Sequence, residues 1–579
     1  MSSESTFRDR SLTRLLPALA RLWPISVRVE DDFERAFTYL GWTASRKQAI
    51  KASRGIALLF GIAGTVAFGF GNPLAGSVLL VIACAVERVG ARGPIWIAAL
   101  RRTAALGSAP ALISYAVLYA RITPTAESAA AFAAQTGDGP LAESLTAHVR
   151  RAQDDGHSGF GTFGDEWAPW FPELRRATML IEMATDAPAG RRDRTLDRAM
   201  DAVTDGTRDR MAGFTSDVRG PATALYAFGV VLPLALIGVL PAARVAGAPI
   251  TLHGLTVVYV GVLPTILIVA GSWLLVHRPV AFPPPTVGRT HPDVPGPRTT
   301  VLTIGGSIAA AILAGAASAV LVAAWTWPIA LAGAGAGIAL RTHYRPIVAI
   351  HDRTRDAEEG LPDALYLLGR RIRDGTAPEA ALAAIASEVT GTIGDVLTDA
   401  AGVQRRLGVG IETAFLGEYG AISALPSPRM KAAATLLDLT VSEGRPAGVV
   451  VVATANHLDE LQAVERDARE NLSSVTDTLR NTAAVFGPLV AGATVALADG
   501  MTGVGTQMAG AQTGTPLSTE GLGLVVGTYT LLLAAILATV AVALERGFDR
   551  AVIGERVGTT MLTATAIYLI SIALTGSVL

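Results

Sequence analysis

Residues 361–386 read LPDALYLLGRRIRDGTAPEAALAAIA, and the way this stretch folds decides the architecture of the chain. Leu361, Leu365, Leu368 and Ile372 recur at steps of four, three and four, which is one apolar stripe of an α-helix. Gly375 supplies the left-handed residue that ends such a helix. Thr376 and Glu379 have the spacing of a capping box for a second helix, whose stripe is Leu382, Ile385 and Val389. The stretch therefore reads as a helical hairpin with one face in water. It sits in a chain of 579 residues, 50% of them hydrophobic, with a mean hydropathy of +0.42. A water-facing hairpin inside so apolar a chain predicts membrane helices alternating with soluble helical domains.

The apolar content comes in uncharged runs approaching membrane-spanning length, about 20 residues. They lie at 55–71, 73–86, 222–243, 255–276, 301–324, 326–340, 481–498, 522–544 and 558–578. The expected fold is all-α: a polytopic membrane protein with about nine transmembrane helices and two homologous cytoplasmic helical-bundle domains. The turn at Trp325-Thr326-Trp327-Pro328 has the character of an interfacial aromatic belt. Arginine and lysine gather before the first run, after the second and sixth, within the 278–300 linker and between the eighth and ninth runs, while the 499–521 loop has neither. The positive-inside rule then puts the N-terminus in the cytoplasm and the C-terminus outside.

The resulting organisation is a cytoplasmic N-terminal segment (1–54) and a membrane hairpin (55–90), then a first cytoplasmic domain (91–221) and a second hairpin (222–277). A proline-rich cytoplasmic linker (278–300) leads to a third hairpin (301–341) and a second cytoplasmic domain (342–480). A fourth hairpin (481–545) and a last transmembrane helix (546–579) complete the chain. In the N-terminal segment Leu15, Leu16, Leu19 and Leu22 alternate with Arg14 and Arg21, a pattern that suits the inner membrane surface. The first 54 residues carry no signal-peptide pattern.

The two cytoplasmic domains echo each other. Pro110, Arg121 and Glu127 are matched 252 positions later by Pro362, Arg373 and Glu379; Arg150-Arg151 and Phe160 are matched 255 later by Arg405-Arg406 and Phe415. Met200, Val203, Thr207, Met211, Phe214 and Val218 are matched 261 later by Leu461, Val464, Ala468, Leu472, Val475 and Leu479. Phe228-Gly229 finds its counterpart in Phe486-Gly487. Ordered matches that run from soluble helix into membrane helix predict an internal duplication of hairpin, bundle and hairpin, with the last helix added.

Several chemistries are excluded. The three lysines, Lys47, Lys51 and Lys431, follow Arg46, Ile50 and Met430, so no Walker phosphate loop exists and no nucleotide cofactor site is expected. None of the eight histidines precedes a glutamate, which removes the helical zinc-protease motif, and no metal site is expected. No serine has glycine two before and two after. Gly164-Asp165 and Gly394-Asp395 lack the further glycine of an intramembrane aspartyl protease, since Thr162 and Thr392 stand there. A formal net charge of −1 gives no reason to expect nucleic acid. The chain is read as no enzyme. The main rival is a transporter or channel, for which Pro233, Pro264 and Pro488 would mark broken helices; packing kinks satisfied by neighbours are the simpler reading. The dense glycines, AGAGAG at 332–337 and GIAG at 61–64, suit close helix packing within the chain or in a homodimer. Trp167, Trp170 and Phe171 read as local core, and the single cysteine, Cys84, rules out an internal disulfide framework.

The 361–386 stretch, together with LLDLTVSEGRPAG and the long helix entering NTAAVFGPLVAGATVAL, resembles the type II secretion F domain shared by secretion and type IV pilus platform proteins. The resemblance covers 345–500 and, more loosely, 100–240, where PTAESAAAFAA and LIEMATDAPAG stand for the same elements. The hairpin before each domain, with VQRRL and FLGEYG, is similar to the haloarchaeal pilus-assembly version. The resemblance implies a non-catalytic role in the cell membrane: cytoplasmic domains engage a hexameric secretion ATPase, and the membrane part receives prepilins. Within that implication the paired arginines Arg370-Arg371, Arg405-Arg406 and Arg150-Arg151 are the candidates to face the ATPase. Pilins, the ATPase and membrane lipids are the expected partners.

Overall fold

A computed structural model describes residues 20–27, 29, 31–40, 45–69, 73–152, 158–245, 251–278, 291, 294, 296–442, 447–508 and 518–578. Leu15, Leu16, Leu19 and most of the 278–300 linker lie outside that set. Among the described residues every regular element is helical.

The helices form two series in the same order. After a short α1 (Asp31–Tyr39), the first opens with α2 (Arg46–Gly69) and α3 (Pro73–Gly107). Six helices follow: α4 (Ala109–Ile122), α5 (Ala126–Thr136), α6 (Pro140–Ala152), α7 (Phe160–Trp167), α8 (Pro172–Thr185) and α9 (Ala189–Tyr226). A π-helical turn, Ala227–Val231, joins α9 directly to α10 (Leu232–Val245). The chain returns through α11 (Leu252–Thr256), a second π turn (Val257–Val262) and α12 (Leu263–Val276).

The second series opens with α13 (Pro297–Leu321) and α14 (Trp327–Glu359). Its six helices are α15 (Leu361–Arg373), α16 (Pro378–Ile385), α17 (Thr392–Leu407), α18 (Ile411–Leu416), α19 (Pro428–Ser442) and α20 (Ala447–Asn481). A π turn, Thr482–Phe486, joins α20 to α21 (Gly487–Met508), and α22 (Thr519–Arg546) returns. One further helix, α23 (Arg550–Val578), ends the chain.

Local chemistry accounts for the shared boundaries. Pro110 and Pro362 occupy the second position of α4 and α15, while Pro172 and Pro428 open α8 and α19, where a missing N–H costs nothing. Arg121 and Arg373 lie in the last turn of the first helix of each bundle, and Glu127 and Glu379 in the first turn of the second. Gly375 has φ +94°; its N–H donates to Ile372 O at 3.0 Å and that of Thr376 to Arg371 O at 3.1 Å, the two bonds of a Schellman ending. The capping box expected next does not form. Pro378 fixes the first helical residue and pushes Ala377 into an extended N-cap conformation, so Thr376 stands one residue too early. The pairing of Phe160 with Phe415 is also corrected. The third helix has 13 residues in the first bundle and 16 in the second, with a shorter link after it, so Phe160 opens α7 where Ile411 opens α18.

Each π turn ends two residues before a proline: Val231 before Pro233, Val262 before Pro264 and Phe486 before Pro488. A proline inside a helix has no N–H for the carbonyl four residues back, and its ring crowds that carbonyl. The wider i→i+5 turn absorbs the misfit without breaking the helix. These prolines are therefore packing kinks: the chain runs unbroken over 189–245 and again over 447–508, each about 85–95 Å at 1.5 Å per residue.

Among the described residues eight helical stretches are long and apolar enough to cross a membrane: Arg46–Ala67, Gly90–Ile122, Gly190–Leu240, Leu252–Val276, Val301–Leu321, Gly448–Gly500, Thr519–Arg546 and Arg550–Val578. The chain is thus a multi-pass membrane protein by length and composition. Seven of the eight coincide with expected runs; Gly90–Ile122 was not expected, and 72% of its apolar window is buried, against 22% for Val301–Leu321. Its apolar residues serve a protein core, because Leu112 and Ile113 pack in one cluster with Phe160, Phe163 and Trp167. Several side chains of the run at 73–86 lie outside the described residues. The 326–340 run does not qualify alone; it is the start of α14, which continues through Arg341 and Arg345 into the soluble layer.

Candidate functional surfaces of the paired bundles

The two six-helix bundles share one hydrophobic core. Leu361, Leu365, Leu368, Leu382 and Ile385 of the second bundle belong to the same buried cluster as Leu141, Phe160 and Val203 of the first. Leu118 and Ile122 on α4 also meet Leu436 on α19 and Val450 on α20. The long helices α9 and α20 lie against each other, with Arg208 Nε 3.7 Å from Asp467 Oδ2. Two bundles in contact lie on the same side of any membrane the long helices cross.

The stripes expected from sequence face inward along both long helices: Met200, Val203 and Leu461 join this core, while Met211, Phe214, Val218, Ala468, Leu472 and Leu479 belong to a second cluster with the apolar layer. Met200, Val203, Thr207, Met211, Phe214 and Val218 are buried on α9, as are Leu461, Val464, Ala468, Leu472 and Leu479 on α20, with Val475 half-buried. Trp167 and Phe171 are buried as well, and Trp167 Nε1 donates to Ser144 Oγ at 3.1 Å. Trp170 lies at the edge, with the Arg102 guanidinium 4.2 Å from its ring centroid.

The candidate arginines lie on the surface. Arg370 is exposed, and Arg371 pairs with Glu388 at 2.5 Å. Arg405 and Arg406 end α17, each donating from Nε to a carbonyl one turn back, Ala401 at 3.3 Å and Gly402 at 3.1 Å. Arg150 and Arg151 end α6, the equivalent helix, and Arg151 Nε donates to Ala147 O at 3.0 Å. Cations at a helix C-terminus complement its dipole, and that alone explains their local placement. Among the described residues no hydrogen bond or ion pair joins the three pairs to one another.

Sequence reasoning missed a buried charged junction. Arg429, in the first turn of α19, reaches Glu358 at the end of α14 (3.6 Å) and Glu465 in the middle of α20. Glu465 also accepts from Arg469 at 3.1 Å, and Glu358 accepts from Ser427 Oγ at 2.6 Å. Gln462 Nε2 donates to the Glu358 backbone carbonyl at 2.6 Å. Burial works against the Arg429 charge, but Glu465 and Glu358 outweigh it and hold the guanidinium firmly protonated. The only hint in the sequence is an arginine in the first turn of a helix, where the dipole disfavours it.

Two further contacts fasten the helices where the bundles meet the apolar layer. Asp549 N-caps α23, accepting from Ala551 N at 2.9 Å and Val552 N at 3.3 Å, while His351 Nδ1 of α14 lies 3.0 Å from its other oxygen. Burial raises the Asp549 pKa, but the His351 contact and the two backbone N–H groups together bring it below the usual carboxylate value. Arg278 is 3% exposed and donates from Nη1 to Ala543 O at 2.8 Å, capping the C-terminus of α22. Burial lowers its pKa to about 10 despite nearby Glu545, so it stays charged.

Glycines set the helix spacing inside the apolar layer. A Cβ on Gly333 would stand 2.0 Å from Thr565 Oγ1, and one on Gly337 would stand 2.9 Å from Gly558 O, so the AGAGAG run seats α14 directly on α23. Its use is intramolecular. Gly64 of the GIAG stretch likewise meets Gly76 of α3, while Gly61 faces open space.

No family model, no curated protein and no solved structure matches this chain.

Proposed function

We propose that this chain is the platform protein of a filament-assembly machine of the type II secretion and type IV pilus kind, passing work from a cytoplasmic hexameric ATPase to pilins in the membrane. The observation that carries the reading is the repeated unit. A hairpin and six helices, the last of them long and π-kinked, occur twice, in the same order and with matched prolines and arginines at equivalent positions. We take the two bundles as tandem F domains produced by duplication, suspended on the cytoplasmic side from nine membrane crossings, with the C-terminus external.

Such a unit suits transmission. Each long helix crosses from bundle to membrane without a loop, so a displacement of the bundle is carried into the apolar layer rather than lost in a flexible joint. The Arg429 junction ties α14, α19 and α20 together, so the hairpin and the long helix of the second unit move as one body. The chain has no phosphate loop, and the work must come from another subunit. On this reading Arg370, Arg371, Arg405, Arg406, Arg150 and Arg151 offer the bundle surface to an acidic face of the ATPase.

The transporter reading gains nothing from the prolines, whose surroundings are filled: Tyr259, Tyr529 and Tyr568 are fully buried between the membrane helices. The test is genetic. Deleting the gene is expected to abolish surface filaments while leaving prepilin cleavage intact. Normal filaments in the deletion strain, or specific solute flux through the purified protein in liposomes, would overturn the proposal.

A further inference from the structure

Three membrane helices bring arginines to one slot at the bundle-side edge of the apolar layer. Arg480 lies in the last turn of α20, Arg546 ends α22, and Arg556 stands in the second turn of α23. All three line the same narrow slot with Glu545, and Ala541 and Val542 form its apolar wall. Each arginine has one acidic neighbour on its own helix: Asp477 for Arg480, Glu545 for Arg546 at 3.6 Å and Glu555 for Arg556 at 3.7 Å. Of these acids only Glu545 lines the slot, so its lining carries three guanidinium groups and one carboxylate.

Arginines at the end of a membrane helix ordinarily snorkel outward, singly, into the headgroup region. Here three from separate helices converge instead, and each guanidinium has five N–H donors, of which the acid on its own helix takes only a part. The mouth of the slot is open: the Arg480 and Arg556 side chains are 45% and 46% exposed. Just beyond Arg480, Val485 and Phe486 are exposed apolar side chains on a helix that enters the membrane layer, so lipid begins one turn away.

We propose that this slot binds the phosphate of an anionic phospholipid, with Arg480, Arg546 and Arg556 donating to its oxygens and its chains lying along the apolar surface that starts at Val485 and Phe486. Arginine forks match phosphate oxygens. A free phosphate would be held by the same donors; the apolar wall and the lipid-level mouth favour the lipid. The inference rests on the membrane reading alone and stands independently of the platform role.

The test uses the full chain in zwitterionic nanodiscs doped with phosphatidylglycerol, read by native mass spectrometry of the retained lipid. Wild type is expected to retain phosphatidylglycerol over phosphatidylcholine by about tenfold or more, and Arg546→Gln with Arg556→Gln to lower that preference about tenfold. Arg546→Lys with Arg556→Lys is expected to keep most of it, and Arg194→Gln, exposed near the start of α9, to leave it unchanged. Should the double glutamine variant not fold, Arg480→Gln at the more exposed position supplies the same comparison. Equal retention by wild type and the glutamine variants would overturn the proposal. Displacement of the lipid by equimolar inorganic phosphate would overturn it too, making the slot a free-anion site.

Discussion

The Tyr529 hydroxyl donates a hydrogen bond to the backbone carbonyl of Gly229, the carbonyl that Pro233, four residues on, leaves without its helical donor. A second tyrosine completes the arrangement: Tyr259 donates to Pro233 O at 2.7 Å, and its ring meets that of Tyr529 edge-on with centroids 5.4 Å apart. The kink in the first long helix is thus closed by side chains from α22 and from the π turn before α12 in its own hairpin, as a membrane layer without water requires.

Tyr529→Phe should therefore destabilise the protein in detergent by about 1 kcal/mol, because it leaves a buried carbonyl unpaired. Adding Pro233→Ala should recover most of that loss, since an alanine N–H at 233 restores the donor for Gly229 O. Unfolding monitored by circular dichroism in a graded denaturing-detergent series gives the cycle. Equal and additive losses in the two single variants would show that the hydroxyl does not answer the proline.

Glycine packing between α14 and α23 makes a second prediction. Gly333→Val has no room, with Thr565 and Leu531 within 3 Å of the new Cβ, and should cost about 1–3 kcal/mol or more through helix separation. Gly305→Ala, facing open space on α13, should be neutral or slightly stabilising. Cysteine pairs across the α14–α23 seam report the separation directly: crosslinking should fall in the valine variant and persist in the alanine one.

Asp549 predicts a pH dependence. Its pKa is lowered in the fold, so the unfolded chain binds the proton more readily; its stabilisation is full above the unfolded value, about 3.9, and is lost as pH falls through the lower folded value. Asp549→Asn should lower the unfolding temperature at pH 7 and pH 5 by the same amount. The gap between variant and wild type should close only below about pH 4. A gap that already narrowed between pH 7 and 6 would mean that the Asp549 carboxylate is not what holds the contact.

What the sequence made legible was what repeats locally. The stripe from Leu361 to Ile372 and the turn at Gly375 each depend on neighbours a turn or less away, and the fold uses them as the pattern implies. The Thr376–Glu379 box failed because one residue, Pro378, overrode a motif that tolerates no shift. Phe160 and Phe415 were mispaired because a three-residue change in helix length is invisible without the loop geometry. The candidate arginines were found by type and position, and their surface placement follows from charge alone. The charges that bind the bundles internally were not found, because Glu358, Arg429 and Glu465 are separated by 71 and 36 residues and only the fold brings them together.

That junction gives the last prediction. Among the described residues Arg429 is the one guanidinium within ion-pair distance of both Glu358 and Glu465, and both carboxylates are mostly buried, with side chains 17% and 12% exposed. Arg429→Met removes the central charge and leaves two carboxylates facing each other in a poorly solvated site, which should cost about 3–5 kcal/mol. The ion pairs themselves need not stabilise the fold, because desolvation offsets much of their attraction. Replacing all three, Arg429→Met with Glu358→Gln and Glu465→Gln, should therefore recover a large part of the loss. Thermal unfolding of the single and triple variants in the same detergent separates the cases. Recovery means that unpaired charge was the penalty. A triple variant as unstable as the single one would instead mean that the network positions α19 between α14 and α20 by its geometry. Proteolysis within α19 would then rise in both variants alike.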